Sequence, residues 1–272
     1  MLEETEKKYE LTDISMTLRN GATLYRIRSL IDNRESGRCV MNGELGGYVQ
    51  SERNLSQEGF CWVDGKAMAY ENAYVSGNAL VNGKSQVFGN ARVGDYAWVS
   101  GAARVYGSAC VFDDSRIGDL ARAFGKALLK GCSQVLHNAQ VFEDACICDD
   151  AKLLGEAKLY GNARLMNNAR VWGSARVRGD AIVGSGAYLC GSVKIKHPND
   201  CITIFPIGSR NSALTLTKCG KAFTGCFEGT WEELLRKSME EFGREIPTEQ
   251  YRKALEFAKA FFGRNPAQNF LY

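Results

Sequence analysis

From Val63 onward the chain places a small aliphatic residue at every sixth position, and the register holds without a slip as far as Ile195. Of the 23 positions in this series, 21 are Val, Ile or Leu and two are Ala, at Ala69 and Ala123. Four residues after each of the first 22 stands Ala in 18 cases, Ser in three (Ser85, Ser115, Ser133) and Val once (Val193). Two residues after the aliphatic, Gly fills 13 of the 22 positions, and Asp, Asn, Glu, His or Ser fills the others. A period of six matches neither the 3.6 of an amphipathic helix nor the alternation of a half-buried strand.

A solenoid accounts for it. If each hexad is one short side and three hexads close a triangular coil, side chains three hexads apart stack and their backbones pair at about 4.8 Å per coil. The aliphatic fills the interior, and Ala or Ser fits the cramped space beside a corner. Gly, Asn and Asp supply the corner itself, where the backbone needs permissive dihedrals. Residues 63–195 then make a little over seven coils, a prism on the order of 35 Å long.

These hexads resemble those of the hexapeptide-repeat proteins, a resemblance that implies a left-handed parallel β-helix; the hand comes from the resemblance and not from the period. The segment "LGGYVQSERNLSQEGFCWVDGKAMAYENA", residues 45–73, is similar to the opening of YdcK-type proteins of bacteria and phages, which implies kinship with acyltransferases. The tail segments "CITIFPIGSRNSALTL" and "GCFEGTWEEL" resemble a small domain that recurs in phage-encoded proteins. Such a repeat marks a fold strongly and an activity weakly.

The predicted architecture is mainly β: an N-terminal cap over residues 1–60, a hexapeptide-repeat β-helix over 61–197 and a small C-terminal α+β domain over 198–272. The cap follows from the exposed backbone and apolar interior of a solenoid's first coil, and it contains a strand, "TLYRIRSLI", and a turn at Gly46–Gly47. "KHPND" reads as a linker, followed by strands near 201–206, 213–217 and 221–227. "GTWEELLRKSMEEFG" reads as a helix with Thr230 and Glu233 set as a capping box. "PTEQYRKALEFAKAFFG" reads as a second, with Tyr251, Leu255, Ala258 and Phe262 on one face.

Composition narrows the setting. A net charge of +3 over 272 residues indicates neither a nucleic-acid nor a membrane partner. No apolar run approaches the roughly 18 residues of a bilayer span. The charged start "MLEETEKKYELTD" has no apolar signal core, so the ten cysteines are read as thiols of a cytoplasmic protein.

Stacking also predicts what the outside displays, because the residues flanking each aliphatic point outward. One column reads Tyr70, Phe88, Tyr106, Phe124, Phe142, Tyr160 and then Arg178; beside it run Met68, Gln86, Arg104, Arg122, Gln140, Lys158, Arg176 and Lys194. One reading is a contact surface between subunits of a dimer or trimer. The other is a ligand platform, in which Tyr106, Phe124, Phe142 and Tyr160 stack on planar groups while Arg104, Arg122, Lys158 and Arg176 pair with phosphates, as for a nucleotide. A second side turns Cys110, Phe112, Leu128, Cys146, Cys148, Met166 and Ile182 outward, and self-association is the economical explanation. Cys146 and Cys148 lack companions at ligand spacing, so no metal is expected.

An acyltransferase of the resembled kind would take acetyl-CoA or another acyl-CoA and use a histidine as general base. His137, at a corner position, is the candidate; His197 lies in the linker. The unbroken repeat leaves no inserted loop to wall a pocket, which favours a binding or assembly surface without a cofactor. A second candidate site is the turn at Ser209, Arg210 and Asn211, where Arg210 can grip phosphate or carboxylate. The favoured expectation is a non-catalytic, homo-oligomeric binding protein for a small anionic ligand or a protein partner. Acyl transfer is the alternative and a pure scaffold the third.

Overall fold

The computed structural model describes residues 7–32 and 39–263. It is mainly β: a parallel solenoid of about eight turns, preceded by an antiparallel hairpin and followed by a small antiparallel sheet with two helices. Each side of the coil contributes a two-residue strand that ends on the repeat aliphatic, as at Arg104–Val105, Cys110–Val111 and Arg116–Ile117. These strands stack into three parallel sheets. Arg104 pairs with Arg122 and Val105 with Ala123, so the register advances by three hexads per coil as the period predicts. The aliphatics and the Ala or Ser residues are buried together in one continuous core.

All 22 corner residues take a left-handed backbone, with φ between +53° and +73°. A side chain there is strained, and at Gly101 an added Cβ would lie 2.7 Å from the backbone nitrogen of Asp119. At most of the corners that are not glycine, the side chain supplies a compensation. Glu71, Asp113, Glu143 and Asp149 each accept the corner N–H one coil onward at 2.8 Å, from Gly89, Gly131, Gly161 and Asn167. A charged acceptor on an otherwise unserved N–H offsets the dihedral cost.

The coil begins earlier than the repeat. Strands β1 (Tyr9–Thr17) and β2 (Thr23–Ser29) form a hairpin that pairs with β3 (Leu45–Val49). β3 in turn runs parallel to the first coil, Tyr48 opposite Met68 and Val49 opposite Ala69. Gly46 and Gly47 are therefore strand residues rather than the expected turn. A Cβ at Gly47 would come within 2.6 Å of the Ala67 carbonyl, and glycine lets the strand lie that close. Tyr9, Ile27, Leu55 and Trp62 close this end of the core, and the Tyr9 hydroxyl donates to the Leu55 carbonyl at 2.7 Å.

At the other end, "KHPND" folds into a short 3-10 turn at Pro198–Asp200 whose Asp200 accepts the N–H groups of Lys196 and His197. Four strands follow in antiparallel order: β4 (Cys201–Ile207), β5 (Ser212–Thr217), β6 (Lys221–Thr224) and β7 (Phe227–Thr230). Helix α1 (Trp231–Phe242) starts at the Thr230–Glu233 capping box, and α2 (Ile246–Phe262) packs beside it. Tyr251, Leu255 and Ala258 are buried on the face the spacing predicts. Phe223, on β6, is buried in the solenoid core instead and plugs its open end. The sheet is tied to the last coil by the Tyr188 N–H, which donates to the Thr215 hydroxyl at 3.0 Å. No helix among the described residues is long and apolar enough to cross a membrane.

Candidate functional site

The aromatic column stands as one stack. Tyr70, Phe88, Tyr106, Phe124, Phe142 and Tyr160 follow one another with ring centroids 4.8–5.1 Å apart and planes within 5° of parallel. Each inner ring thus spends both faces on its neighbours, and a ligand approaching from outside meets ring edges. A planar group has no free face to stack on at Tyr106, Phe124 or Phe142. The rings from Phe88 to Tyr160 are half-buried, and Tyr70 is buried.

Beside the rings the basic column keeps its register: Gln86, Arg104, Arg122, Gln140, Lys158, Arg176 and Lys194 are successive partners across the sheet. Arg104 and Arg122 are directly opposite, as are Lys158 and Arg176. Like charges so placed repel, by about 1 kcal/mol in water at one coil's spacing and less in salt. Arg104 donates from Nε and Nη2 to Gln86 Oε1, at 3.3 and 3.1 Å. Among the described residues none of these cations is paired with a carboxylate; Lys126, four residues after Arg122, pairs with Asp144 at 3.7 Å. Arg104, Arg122, Gln140 and Asn138, with Ala102 and Leu120, line a groove of about 280 Å³.

His137 occupies an exposed corner with φ +63°. Its backbone N–H donates to Asp119 Oδ2 at 2.9 Å, and its Nδ1 accepts the Gly155 N–H at 3.3 Å. A neutral ring that accepts at Nδ1 carries its proton on Nε2. Its Nε2 is then a donor, the wrong polarity for a general base.

Ser209, Arg210 and Asn211 form the β4–β5 turn, with the Asn211 N–H donating to the Gly208 carbonyl at 3.2 Å. Gly208, at φ +73°, lies so close to Tyr251 that a Cβ would strike its hydroxyl. Ser209 and Arg210 line a cleft of about 270 Å³ with Lys237, Glu241 and Tyr251, and Asn211 stays outside it. The two predicted sets therefore occupy separate places, one on the long face and one in the tail.

On the second side, Cys110, Phe112, Leu128, Cys146 and Met166 are half-buried, Ile182 is exposed and Cys148 is buried. Burial, with the nearby charges of Cys146 and Asp149, pushes the Cys148 thiol up to about 11, so it is protonated at neutral pH. Among the described residues no three His, Cys, Asp or Glu side chains gather as a metal cluster. Nothing in the sequence pattern marks Lys8, whose buried Nζ donates to the carbonyls of Glu58, Gly59 and Cys61 and lies 3.2 Å from the Cys61 sulfur. Nor does it mark Arg170 and Phe205, which line one cleft only because the tail sheet docks on the last coils. A comparison with known families finds no matching family model, and a comparison with curated proteins finds no match.

Proposed function

We propose that this chain is a non-catalytic binding protein that self-associates and takes a small phosphate-bearing ligand on its long basic face. The observation that carries this reading is the direct opposition of Arg104 and Arg122, two guanidinium groups on adjacent coils with no carboxylate partner among the described residues. A fold that stacks like charges without neutralising them gives up stability, and an anion bridging the two groups restores it. Gln140 and Asn138 complete the groove with neutral donors. The rings alongside stiffen the face and present an apolar strip of edges, suited to contact with a second copy in a dimer or trimer.

The repeat resembles that of the hexapeptide-repeat β-helices, which would make the coil left-handed, and the resemblance to YdcK-type proteins keeps acyl transfer as the rival reading. That reading needs His137 as the base for an acyl-CoA reaction. Its Nδ1 is engaged by Gly155, which is why we place binding ahead of it.

Calorimetric titration with inorganic pyrophosphate tests the proposal. Saturable binding is expected, weakening as salt rises, and the Arg104→Ala/Arg122→Ala double variant should lose it while keeping the wild-type mass in light scattering. Equal binding by wild type and double variant would overturn the proposal. Acetyl-CoA turnover abolished by His137→Ala would favour the rival.

A further inference from the structure

Where the tail sheet crosses the last coils, a cleft of about 1040 Å³ opens between the two. On one side stand the coil residues Asn167, Asn168, Arg170 and Tyr188; on the other stand Thr203 and Phe205 of β4. Arg170 and Tyr188 are register partners on adjacent coils, so they form one continuous floor. The far wall is fixed to that floor: Thr215 accepts the Tyr188 N–H at 3.0 Å, and its hydroxyl lies 3.3 Å from that of Thr203.

The lining has a definite chemistry. Arg170 is the one formally charged side chain in it, and among the described residues no carboxylate pairs with it. Around it are amides and hydroxyls, groups that recognise sugar hydroxyls or a base edge. Phe205 sits where the β4–β5 pairing breaks register between Ile204 and Ile207; it lines the cleft and is 68% exposed. Unlike the rings of the long stack, it has no parallel neighbour among the described residues, so a face remains free for a planar or sugar ring.

We infer that this junction cleft is a second ligand site, which takes a ring-bearing ligand with a single anionic group: a sugar carrying one phosphate or one carboxylate, with or without an attached base. The anion lies on Arg170, the ring stacks on Phe205, and Asn168 and Thr203 read its polar edge. The site is built by both parts of the chain, so a ligand bound there also fastens the tail to the coil.

Three probes separate the sources of that chemistry: ribose 5-phosphate, glucuronate and AMP. Calorimetry on the full chain is expected to show saturable binding of at least one with a Kd below about 1 mM. Arg170→Ala should weaken it roughly tenfold to a hundredfold, as for a lost charge-assisted contact. Phe205→Ala should weaken it roughly tenfold or more. Binding at the junction should persist in the Arg104→Ala/Arg122→Ala background, which removes the long-face site, and the junction variants are compared in that background, so failure here and failure of the long-face proposal are read from different variants. Both test residues are exposed; should Arg170→Ala fail to fold, Arg170→Gln and Phe205→Ala decide. The inference is overturned if no probe binds, or if the junction variants bind as wild type does.

Discussion

His137 is held between two coils: its Nδ1 accepts the N–H of Gly155 at 3.3 Å, while its own N–H donates to Asp119 at 2.9 Å. The corner is left-handed, so His137→Ala loses the acceptor yet retains a strained Cβ, and it should destabilise the fold by about 1–2 kcal/mol. His137→Gly loses the same acceptor but relieves the dihedral, and should be the more stable of the two by about 1 kcal/mol. Urea titration of both variants distinguishes them, and an Ala variant as stable as wild type would remove the structural role.

Ser115 and Ser133 occupy equivalent interior positions but are served differently. The Ser115 hydroxyl donates to the Phe112 carbonyl, whereas the buried Ser133 hydroxyl has no partner among the described residues. Ser133→Ala should therefore raise stability by about 1 kcal/mol, and Ser115→Ala should not. Thermal unfolding of the pair gives the comparison, and a loss of stability in Ser133→Ala would contradict it.

Phe223 belongs to the tail by sequence and to the coil by burial. Phe223→Ala should cost about 3–5 kcal/mol, the range for truncating a buried aromatic, and should bare the last coil's strand ends to another chain. Aggregation on heating, followed by light scattering, is the expected sign. A variant that unfolds like wild type and stays monodisperse would show that the plug is dispensable.

Burial, with the neighbouring charge of Asp200, pushes the Cys201 thiol up to about 12. Because the folded value exceeds the unfolded value near 9, this group's contribution to stability is complete below pH ~9 and is lost as pH climbs toward 12. The stability of wild type relative to Cys201→Ala should accordingly fall between pH 9 and 10.5, at up to about 1.4 kcal/mol per pH unit. A difference that stays flat over that interval would contradict the assignment.

The period of six was enough to place Val105 over Ala123 and to align Tyr70 with five further rings, because stacking follows from counting alone. Ring orientation was not countable: only the backbone pitch makes the planes parallel and consumes their faces. The first rung was hidden because Val49 and Ala69 are not three hexads apart, and the intervening Glu52–Asn54 turn absorbs the excess. The helices were legible from Thr230, Glu233 and the apolar face of α2, all local signals. Arg170 and Phe205 were not, since their proximity depends on how a non-repeating sheet seats itself on a repeating one.

One consequence of the constant register concerns length. Arg104 and Arg122 are one storey apart, so excising any eighteen contiguous residues from the middle of the barrel shortens it by one storey and returns everything downstream to the same compass bearing. Excising six swings the tail through a third of a revolution and carries it to another wall. The molecule is thus an adjustable spacer, whose height can be edited in whole floors while the fittings at either end keep their alignment.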